Sequence, residues 1–344
     1  MKDAIIVGGG VIGCAVALRL AGEGLQVAVI ERGRVGCEAS RAAAGMLSPQ
    51  AEASEPGPFL DLCLRSRAMY RDFAELLKDA SGIDVEYRDE GTLCVAVAGE
   101  DPEHIARWAS WQKAAALPLE ELSADDLRAL EPGLSERAAR GVFIPGDHQV
   151  ENRRLMDALD AAIRHAGVEV IEGAEVARLI IERDRAVGVV CNEQAMYAGA
   201  VVVAAGSWSS RLLHPAGLRV HVTPARGQMI ALRGAAARLR HVLHSSRAYV
   251  VPRLADCEVI EAWAGFRPDT EDHLPVIGPC EIANLFLATG HFRNGILLAP
   301  VTAELLARCV TQPSAPDELR PFLIKRFDEK PFAGSIQDAL PSAL

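Results

Sequence analysis

Three glycines with a fixed spacing lie near the N-terminus of this 344-residue chain, in the pattern Gly8-x-Gly10-x-x-Gly13. In such a motif the first glycine permits a tight turn, the second lets backbone N–H groups approach a pyrophosphate, and the third lets a helix pack close to a strand. Glu31 follows 23 residues after Gly8, where a carboxylate can accept hydrogen bonds from ribose hydroxyls and would repel a 2′-phosphate. These residues predict a bound adenine dinucleotide other than NADP, and the motif alone does not separate NAD from FAD.

The elements that must position these groups follow from the hydrophobic pattern. An apolar run from Ala4 to Val7 precedes the glycines, a helical pattern begins at Val11, and a second apolar strand from Gln26 to Ile30 ends at the acid. This order is strand, turn, helix and strand. The N-terminus of the helix then faces the phosphates with unpaired N–H groups and the positive end of its dipole.

Composition excludes several classes of protein. The net charge is −10 and the sequence pI is about 5.5, so no basic surface for nucleic acid is indicated. There is no run of 18 apolar residues for a membrane span, and the first strand begins too early to leave room for a signal peptide. The eight cysteines include no C-x-x-C pair. We therefore expect a cytoplasmic protein of about two domains, without a metal site or disulfides.

Small residues dominate residues 39–45, directly after the ribose-binding acid. They allow close approach to a large planar ligand, and on composition alone a flexible alanine-rich loop accounts for them equally well. The N-terminal motif followed by Ala-Ala-Ala-Gly-Met-Leu resembles the FAD-dependent D-amino-acid oxidase (DAO) superfamily, and within it the glycine oxidases of thiamine biosynthesis. The resemblance implies FAD contacts in this part of the chain from Gly8, Gly10, Val11, Ile12, Gly13, Glu31, Arg32, Ala39, Ser40, Ala44, Gly45 and Met46.

A second block with this resemblance runs from His291 to Pro300. A strand from Leu285 to Ala288 meets a glycine-bearing turn, and the spacing predicts a helix from about Gly295 to Val310. Its N-terminus would stabilise the negative charge that forms near N1 and the C2 carbonyl of a reduced flavin. The resemblance implies further cofactor contacts from Val176, Gly206, His291, Phe292, Arg293, Asn294, Gly295, Ile296 and Leu297. No cysteine of this block matches a flavin attachment site, so we expect noncovalent FAD.

Three residues match the substrate side of the family's site. A substrate carboxylate in a dry pocket favours a fixed, bidentate guanidinium. Arg267, directly before Pro268, matches the family's carboxylate-anchoring arginine, Arg293 matches a second arginine at the flavin's substrate face, and Tyr249 matches a tyrosine that bonds the substrate carboxylate. Taken singly, each arginine is equally a surface ion-pair partner.

The implied fold is α/β: a two-domain FAD-binding Rossmann-type (glutathione-reductase-like) fold with a mixed-sheet substrate domain. We assign residues 1–80, 148–222 and 262–344 to the FAD-binding domain, and residues 81–147 and 223–261 to the substrate domain. His148, at the second boundary, is a candidate base, although a loop histidine without a partner is more often structural.

The implied activity is oxidative deamination of glycine, with sarcosine and small D-amino acids as further candidates. Hydride transfer to flavin N5 would give an imine that feeds thiazole and thiamine biosynthesis, or glyoxylate, ammonia and hydrogen peroxide. The implied partners are a small amino-acid substrate and oxygen, with no nucleic acid, no membrane span and a homo-oligomeric assembly. Alternatives are another amine oxidase or dehydrogenase of the superfamily and a non-catalytic FAD-binding protein. An NAD-dependent dehydrogenase would leave the C-terminal block without a role.

The chain departs from the family pattern after Arg253, where only residues 254–262 separate the strand Tyr249 to Arg253 from the block that begins at Trp263. Family members carry a longer segment here. If it is absent, we expect the strand from Tyr249 to lie at a sheet edge, with a more open pocket and weak activity. If the numbering instead closes over a hidden loop, a Cα–Cα step between Arg253 and Asp256 should be far longer than the usual ~3.8 Å.

Overall fold

The structure is a computed structural model that describes residues 1–97, 102–231, 239–253, 261–312 and 314–327. Ten α-helices occur in these ranges: α1 Val11–Gly22, α2 Ala39–Ala42, α3 Pro49–Glu52, α4 Pro58–Ala68, α5 Tyr70–Ser81, α6 Pro102–Ala114, α7 Ala124–Leu130, α8 Asn152–His165, α9 Ser209–Leu213 and α10 Ala299–Thr311. Short 3₁₀ segments are Gly206–Trp208, His214–Ala216, Asp317–Phe322 and Ile324–Phe327.

The described residues form seventeen strands: β1 Lys2–Val7, β2 Val27–Ile30, β3 Met46–Leu47, β4 Thr92–Val97, β5 Glu120–Ser123, β6 Ala138–Ile144, β7 His148–Gln149, β8 Glu169–Ile171, β9 Val176–Glu182, β10 Arg185–Cys191, β11 Gln194–Val203, β12 Val222–Ala231, β13 Val242–His244, β14 Tyr249–Val250, β15 Glu261–Thr270, β16 Val276–Pro279 and β17 Leu285–Thr289.

An eight-stranded sheet forms the half of the molecule that contains the glycine motif, with the order β16-β17-β11-β1-β2-β8; β10 pairs with β11, and β9 pairs with β10. The strand β1 lies between β2 and β11, and both pairings are parallel. Its residues alternate between two cores, Ile6 on the face covered by α1 and α10 and Ile5 on the opposite face. Because both faces are covered, these strands are continuously apolar in sequence. The predicted order of strand, turn, helix and strand is confirmed.

The first glycine motif has the geometry that its sequence predicts. Gly8 has a φ of +110°, and a Cβ on it would lie 2.4 Å from the carbonyl oxygen of Ala204 at the end of β11. A Cβ on Gly13 would lie 2.0 Å from the carbonyl oxygen of Gly8. Only glycine permits this turn and this close approach of α1 to β1.

The described residues form three smaller sheets, of which one is the pair β3–β7 and the other two form the other half of the molecule. One has the order β14-β13-β4-β6-β5, and the other is a ribbon in which β12 and β15 pair antiparallel from Val222–Thr270 to Ala231–Glu261. The predicted domain division, with boundaries after residues 222 and 261, places almost all of β12 in the substrate domain and almost all of β15 in the FAD-binding domain. Because the strands are hydrogen-bonded along their whole length, the ribbon is one structural unit.

The last helix begins later than predicted, at Ala299 rather than Gly295. Pro300 explains the difference, since a helix that began at residue 295 would place it past the first turn, where its missing N–H breaks a backbone hydrogen bond. In the structure Pro300 lies in the first turn of α10. The preceding residues form turns, in which Leu298 donates to the Asn294 carbonyl at 2.8 Å.

The junction after Arg253 falls largely outside the described residues, as does the predicted Cα–Cα test between Arg253 and Asp256. Within the described ranges, β14 is the terminal strand of its sheet and pairs with β13 alone. Val250 is accordingly 45% exposed. Arg253 is anchored, because its guanidinium donates to the carbonyl of Ala44 and, at 3.2 Å, to Oε1 of Gln149.

Candidate functional site

One elongated cavity extends from the carboxyl ends of β1 and β2 to the ribbon of β12 and β15. All predicted site residues line it except Gly13 and Leu297, which are buried in the packing around the site. The sequence positions that the cavity brings together are Gly8, Gly10, Val11, Ile12, Glu31, Arg32, Ala39, Ser40, Ala44, Gly45, Met46, Val176, Gly206, Tyr249, Arg267, His291, Phe292, Arg293, Asn294, Gly295 and Ile296.

Glu31 marks one end of the cavity. Its Oε2 accepts the N–H of Gly9 at 2.8 Å, and its Oε1 accepts the N–H of Gly33 at 2.8 Å. The carboxylate is therefore fixed at the tip of β2 by two backbone donors, and each oxygen keeps lone pairs that can accept hydroxyl groups. This is the geometry that recognition of a ribose requires.

The small-residue segment approaches the glycine turn closely. The Oγ of Ser40 accepts the N–H of Val11 at 2.9 Å, and a Cβ on Gly10 would lie 3.3 Å from the same oxygen. Gly45 has a φ of +78°, and a Cβ on it would lie 2.0 Å from the carbonyl oxygen of Val150. Both stretches thus present backbone to the cavity at short range, as a flat or phosphate-bearing ligand requires.

Sequence analysis missed the aromatic residue at the nucleotide end. Two guanidinium groups lie over the ring of Trp208, with Cζ of Arg32 at 4.2 Å and Cζ of Arg211 at 4.7 Å from the ring centroid. All three side chains line the cavity. Two features of the sequence indicate this arrangement. Trp208 follows Gly206 by two residues at the end of a buried strand, and Arg211 comes three residues later.

The turn from His291 to Leu298 forms the middle of the cavity. His291 is buried, its Nε2 lies 3.1 Å from Oγ1 of Thr302, and burial lowers its pKa to about 3. The imidazole is therefore neutral at physiological pH. The backbone N–H groups of Gly295 and Ile296 line the cavity and make no hydrogen bond to any residue that the structure describes. They remain available as donors to a ligand, although the helix itself begins only at Ala299.

The far end of the cavity carries the predicted substrate residues. Arg267 extends from β15, and its Nη2 lies 3.5 Å from the hydroxyl oxygen of Tyr249. The same hydroxyl donates to Sδ of Met229 at 3.2 Å. A guanidinium and a phenol are thus aimed at one space with apolar neighbours, an arrangement suited to a small carboxylate.

Arg293 forms an ion pair that sequence analysis did not predict. Its Nη2 lies 3.0 Å from Oε1 of Glu52, which is the last residue of α3 and also lines the cavity. Burial raises the pKa of the Glu52 carboxyl, while the charges of Arg293 and Arg267 oppose this rise. Glu52 thus lies within the electrostatic field of both arginines.

His148 lies outside the cavity. Its Nδ1 is 2.6 Å from the hydroxyl oxygen of Tyr87, and burial lowers its pKa. The structural interpretation of this histidine agrees with its position.

The described residues contain no group of three or more His, Cys, Asp or Glu side chains that could hold a metal ion. None of the described helices combines the length and apolar character of a membrane span.

The donor set of the cavity fits a flavin dinucleotide. One end offers a fixed carboxylate for ribose, and the glycine turn offers backbone donors for a pyrophosphate beside the N-terminus of α1. The middle offers the N–H groups of Gly295 and Ile296, which are donors of the kind that would stabilise a reduced flavin. A nicotinamide dinucleotide would require only the first two features.

Comparison with known proteins agrees with this geometry. The family model described as FAD dependent oxidoreductase (DAO) matches residues 3–253 and 233–309. A glycine oxidase of Geobacillus kaustophilus is 33% identical over 367 aligned positions, covering 94% of this chain and 97% of the relative. The alignment is longer than this 344-residue chain, so some of its positions have no residue here.

A bifunctional protein ThiO/ThiG of a Nostoc species is 34% identical over 353 positions, covering 90% of this chain and 53% of the relative. The chain thus spans about half the length of the bifunctional relatives that it matches. The crystal structure of glycine oxidase from Geobacillus kaustophilus superposes with a TM-score of 0.90 at 32% identity, covering 94% of this chain and 98% of that chain. This protein belongs to the DAO family of FAD-dependent oxidoreductases.

Proposed function

We propose that this protein oxidises glycine with noncovalently bound FAD and oxygen as the electron acceptor. The observation that carries the proposal is the single cavity, in which a dinucleotide site built on Gly10 and Glu31 is continuous with the arginine and tyrosine of the ribbon. Glycine is the substrate of relatives that match nearly the whole chain in sequence and fold. None of the described residues that line the cavity is a cysteine, in keeping with a noncovalent flavin.

The residues that line the cavity would have separate roles in the reaction. Arg267 and Tyr249 hold the substrate carboxylate, which fixes the Cα–H bond relative to the cofactor. Met229 lines the same end of the cavity and places apolar surface beside the Tyr249 hydroxyl. The N–H groups of Gly295 and Ile296 donate to the cofactor where negative charge develops during the reaction.

When bound, FAD supplies the hydride acceptor and passes two electrons to oxygen, giving hydrogen peroxide. Loss of a hydride from the α-carbon of glycine with a neutral amine leaves an iminium ion, which releases a proton to give the imine; water then hydrolyses the imine to glyoxylate and ammonia. By analogy with the ThiO/ThiG relatives, we propose that this imine also serves thiazole formation in thiamine biosynthesis. We further propose a cytoplasmic homo-oligomer, and sarcosine and small D-amino acids as secondary substrates.

We propose the domain division given by the sequence, with one change. Residues 1–80 and 148–221 bind the cofactor together with the segment that follows Thr270, while residues 81–147 and the ribbon of β12 and β15 form the substrate side. The ribbon belongs to the substrate side because Arg267 lies on it.

The proposal is tested with a panel of small amino acids and amines and detection of peroxide. The purified protein should be yellow, and denaturation should release free FAD. Glycine should give peroxide and glyoxylate in equal amounts. A colourless protein that does not bind added FAD, or one that binds NAD instead, contradicts the proposal.

A specific observation favours one second candidate. The strand β14 lies at a sheet edge among the described residues, and it carries Tyr249. An open pocket of this kind suits a non-catalytic FAD-binding protein. That alternative predicts a yellow protein that gives no peroxide with any substrate of the panel.

A further inference from the structure

Glu52 is the acidic residue nearest to the predicted carboxylate site. The other acids that line the cavity are Glu31, Glu38 and Glu175, which lie with the nucleotide end. Its side chain is only 17% exposed, and its Oε1 is paired with Arg293. Its Oε2 makes no hydrogen bond to any residue in the described ranges, which leaves one carboxylate oxygen available beside the substrate space.

The helix that carries Glu52 is held by a buried network on its other side. Asp147 accepts the N–H of Gln50 at 3.3 Å and the N–H of Ala51 at 2.8 Å, and it is fully buried. Arg67 bridges the two partners, at 2.9 Å from Oδ1 of Asp147 and 3.0 Å from Oε1 of Gln50. The backbone directly before Glu52 is therefore fixed, so its carboxylate has a defined position in the cavity.

The charges at this end of the cavity match one form of the substrate. Arg267 and Arg293 carry two positive charges, and Glu52 carries one negative charge. An α-amino acid with a neutral amine carries a single negative charge and balances the sum. Its carboxylate requires a cationic partner, and its amine N–H requires an acceptor. Glu52 supplies an acceptor oxygen at the same end as the guanidinium of Arg267.

We propose that Glu52 accepts an N–H of the substrate amine while Arg267 and Tyr249 hold the carboxylate, so that the site prefers α-amino acids to simple carboxylates that lack a donor at the α-carbon. The inference rests on the proposed function and assigns the amine end of the same site. Two fixed contacts on a substrate as small as glycine orient its Cα, which one carboxylate contact alone does not.

The test compares two ligands of the FAD-bound protein that differ only in the amine: glycine, and acetate, in which a hydrogen replaces it. Binding of acetate, which cannot reduce the flavin, is read from the perturbation of the flavin absorbance, and KM for glycine is measured by peroxide formation. Loss of a charge-assisted hydrogen bond should raise KM for glycine at least ~10-fold in Glu52→Ala. Acetate binding should change less than ~3-fold. Glu52→Gln, which keeps an acceptor oxygen, should fall between the wild type and Glu52→Ala.

A role of Glu52 that consists only of positioning Arg293 is tested in a double variant. Glu52→Gln is introduced into the Arg293→Gln variant, in which the ion pair is already lost. If Glu52 contacts the amine, the second substitution still weakens glycine relative to acetate. If the second substitution has no further effect on glycine, or if both ligands lose affinity equally, the inference is overturned. Absence of glycine oxidation in the wild type would instead contradict the proposed function, and the ligand titrations remain readable in that case.

Discussion

The guanidinium of Arg267 lies directly against the backbone of Gly227, its diagonal neighbour across the ribbon, where a Cβ would stand 2.6 Å from Cζ of the arginine. Because Gly227 has no side chain, the guanidinium of Arg267 has room to lie along the ribbon towards Tyr249. A glycine of β12 is therefore part of the carboxylate site, although it donates nothing to the substrate.

Gly227→Ala should displace this guanidinium and weaken glycine binding. Its backbone φ is outside the left-handed region, so alanine is tolerated there and the effect comes from the side-chain clash. We expect KM for glycine to rise ~10-fold with the flavin spectrum of the bound cofactor retained. Gly22→Ala is the matched control, since a Cβ there meets nothing within 4 Å. Equal kinetics for the two variants would contradict this role.

Arg267→Ala should lose activity on glycine and keep the flavin. A charge-assisted hydrogen bond to a carboxylate contributes about 1.5–3 kcal/mol, so kcat/KM should fall at least ~10-fold. The measurement is steady-state peroxide formation together with the absorbance spectrum. Unchanged kinetics would mean that the arginine is only a surface ion-pair partner.

Glu31→Gln should weaken FAD binding. The carboxylate of Glu31 accepts backbone N–H groups with both oxygens, and an amide would turn an NH₂ group towards one of those donors. The Kd for FAD, measured by titration of the apoprotein, should rise at least ~10-fold. Glu182→Gln, on the exposed end of β9, serves as control and should bind FAD as the wild type does.

The nucleotide end was predictable because its parts are close in sequence. The first glycine motif and Glu31 belong to one strand–helix–strand unit, whose pattern specifies its own geometry. The acidic partner of Arg293 was not predictable, since Glu52 lies 241 residues away and the two meet only when the N-terminal and C-terminal segments of the cofactor-binding half fold together. The same holds for Asp147, which a sequence presents as an ordinary loop acid. The start of α10 was misplaced because helical periodicity was followed across Gly295 without regard to Pro300.

Asp147→Ala should destabilise the protein strongly. Asp147 is fully buried and Arg67 is 17% exposed, so the substitution leaves a largely buried guanidinium and two backbone N–H groups without their acceptor. Breaking a buried pair in this way costs about 3–5 kcal/mol. The free energy of unfolding in denaturant measures it. Asp125→Ala removes an exposed pair with Arg128 and should change stability by less than ~1 kcal/mol. A similar small effect of both substitutions would contradict the importance of the network.

Stability should fall in acid partly because of His291. Burial lowers the pKa of this imidazole to about 3, below its ordinary value of about 6.5. As the pH falls through this interval the unfolded state binds a proton that the folded state does not, so the stabilising contribution of the neutral form is progressively lost. His291→Gln should reduce the slope of the unfolding free energy against pH between about 3 and 6.5. His165→Gln, at an exposed histidine, should leave it unchanged. A steeper slope in His291→Gln would reverse the sign assigned here.

The central claim is that glycine reduces a flavin held in the cavity, and an anaerobic absorbance measurement tests it most directly. The purified protein is mixed with glycine in the absence of oxygen, and oxygen is then admitted. The account predicts that the yellow colour of oxidised FAD bleaches on mixing, returns with oxygen, and yields one peroxide per flavin reduced. A flavin spectrum that stays oxidised with glycine, sarcosine and small D-amino acids would contradict it.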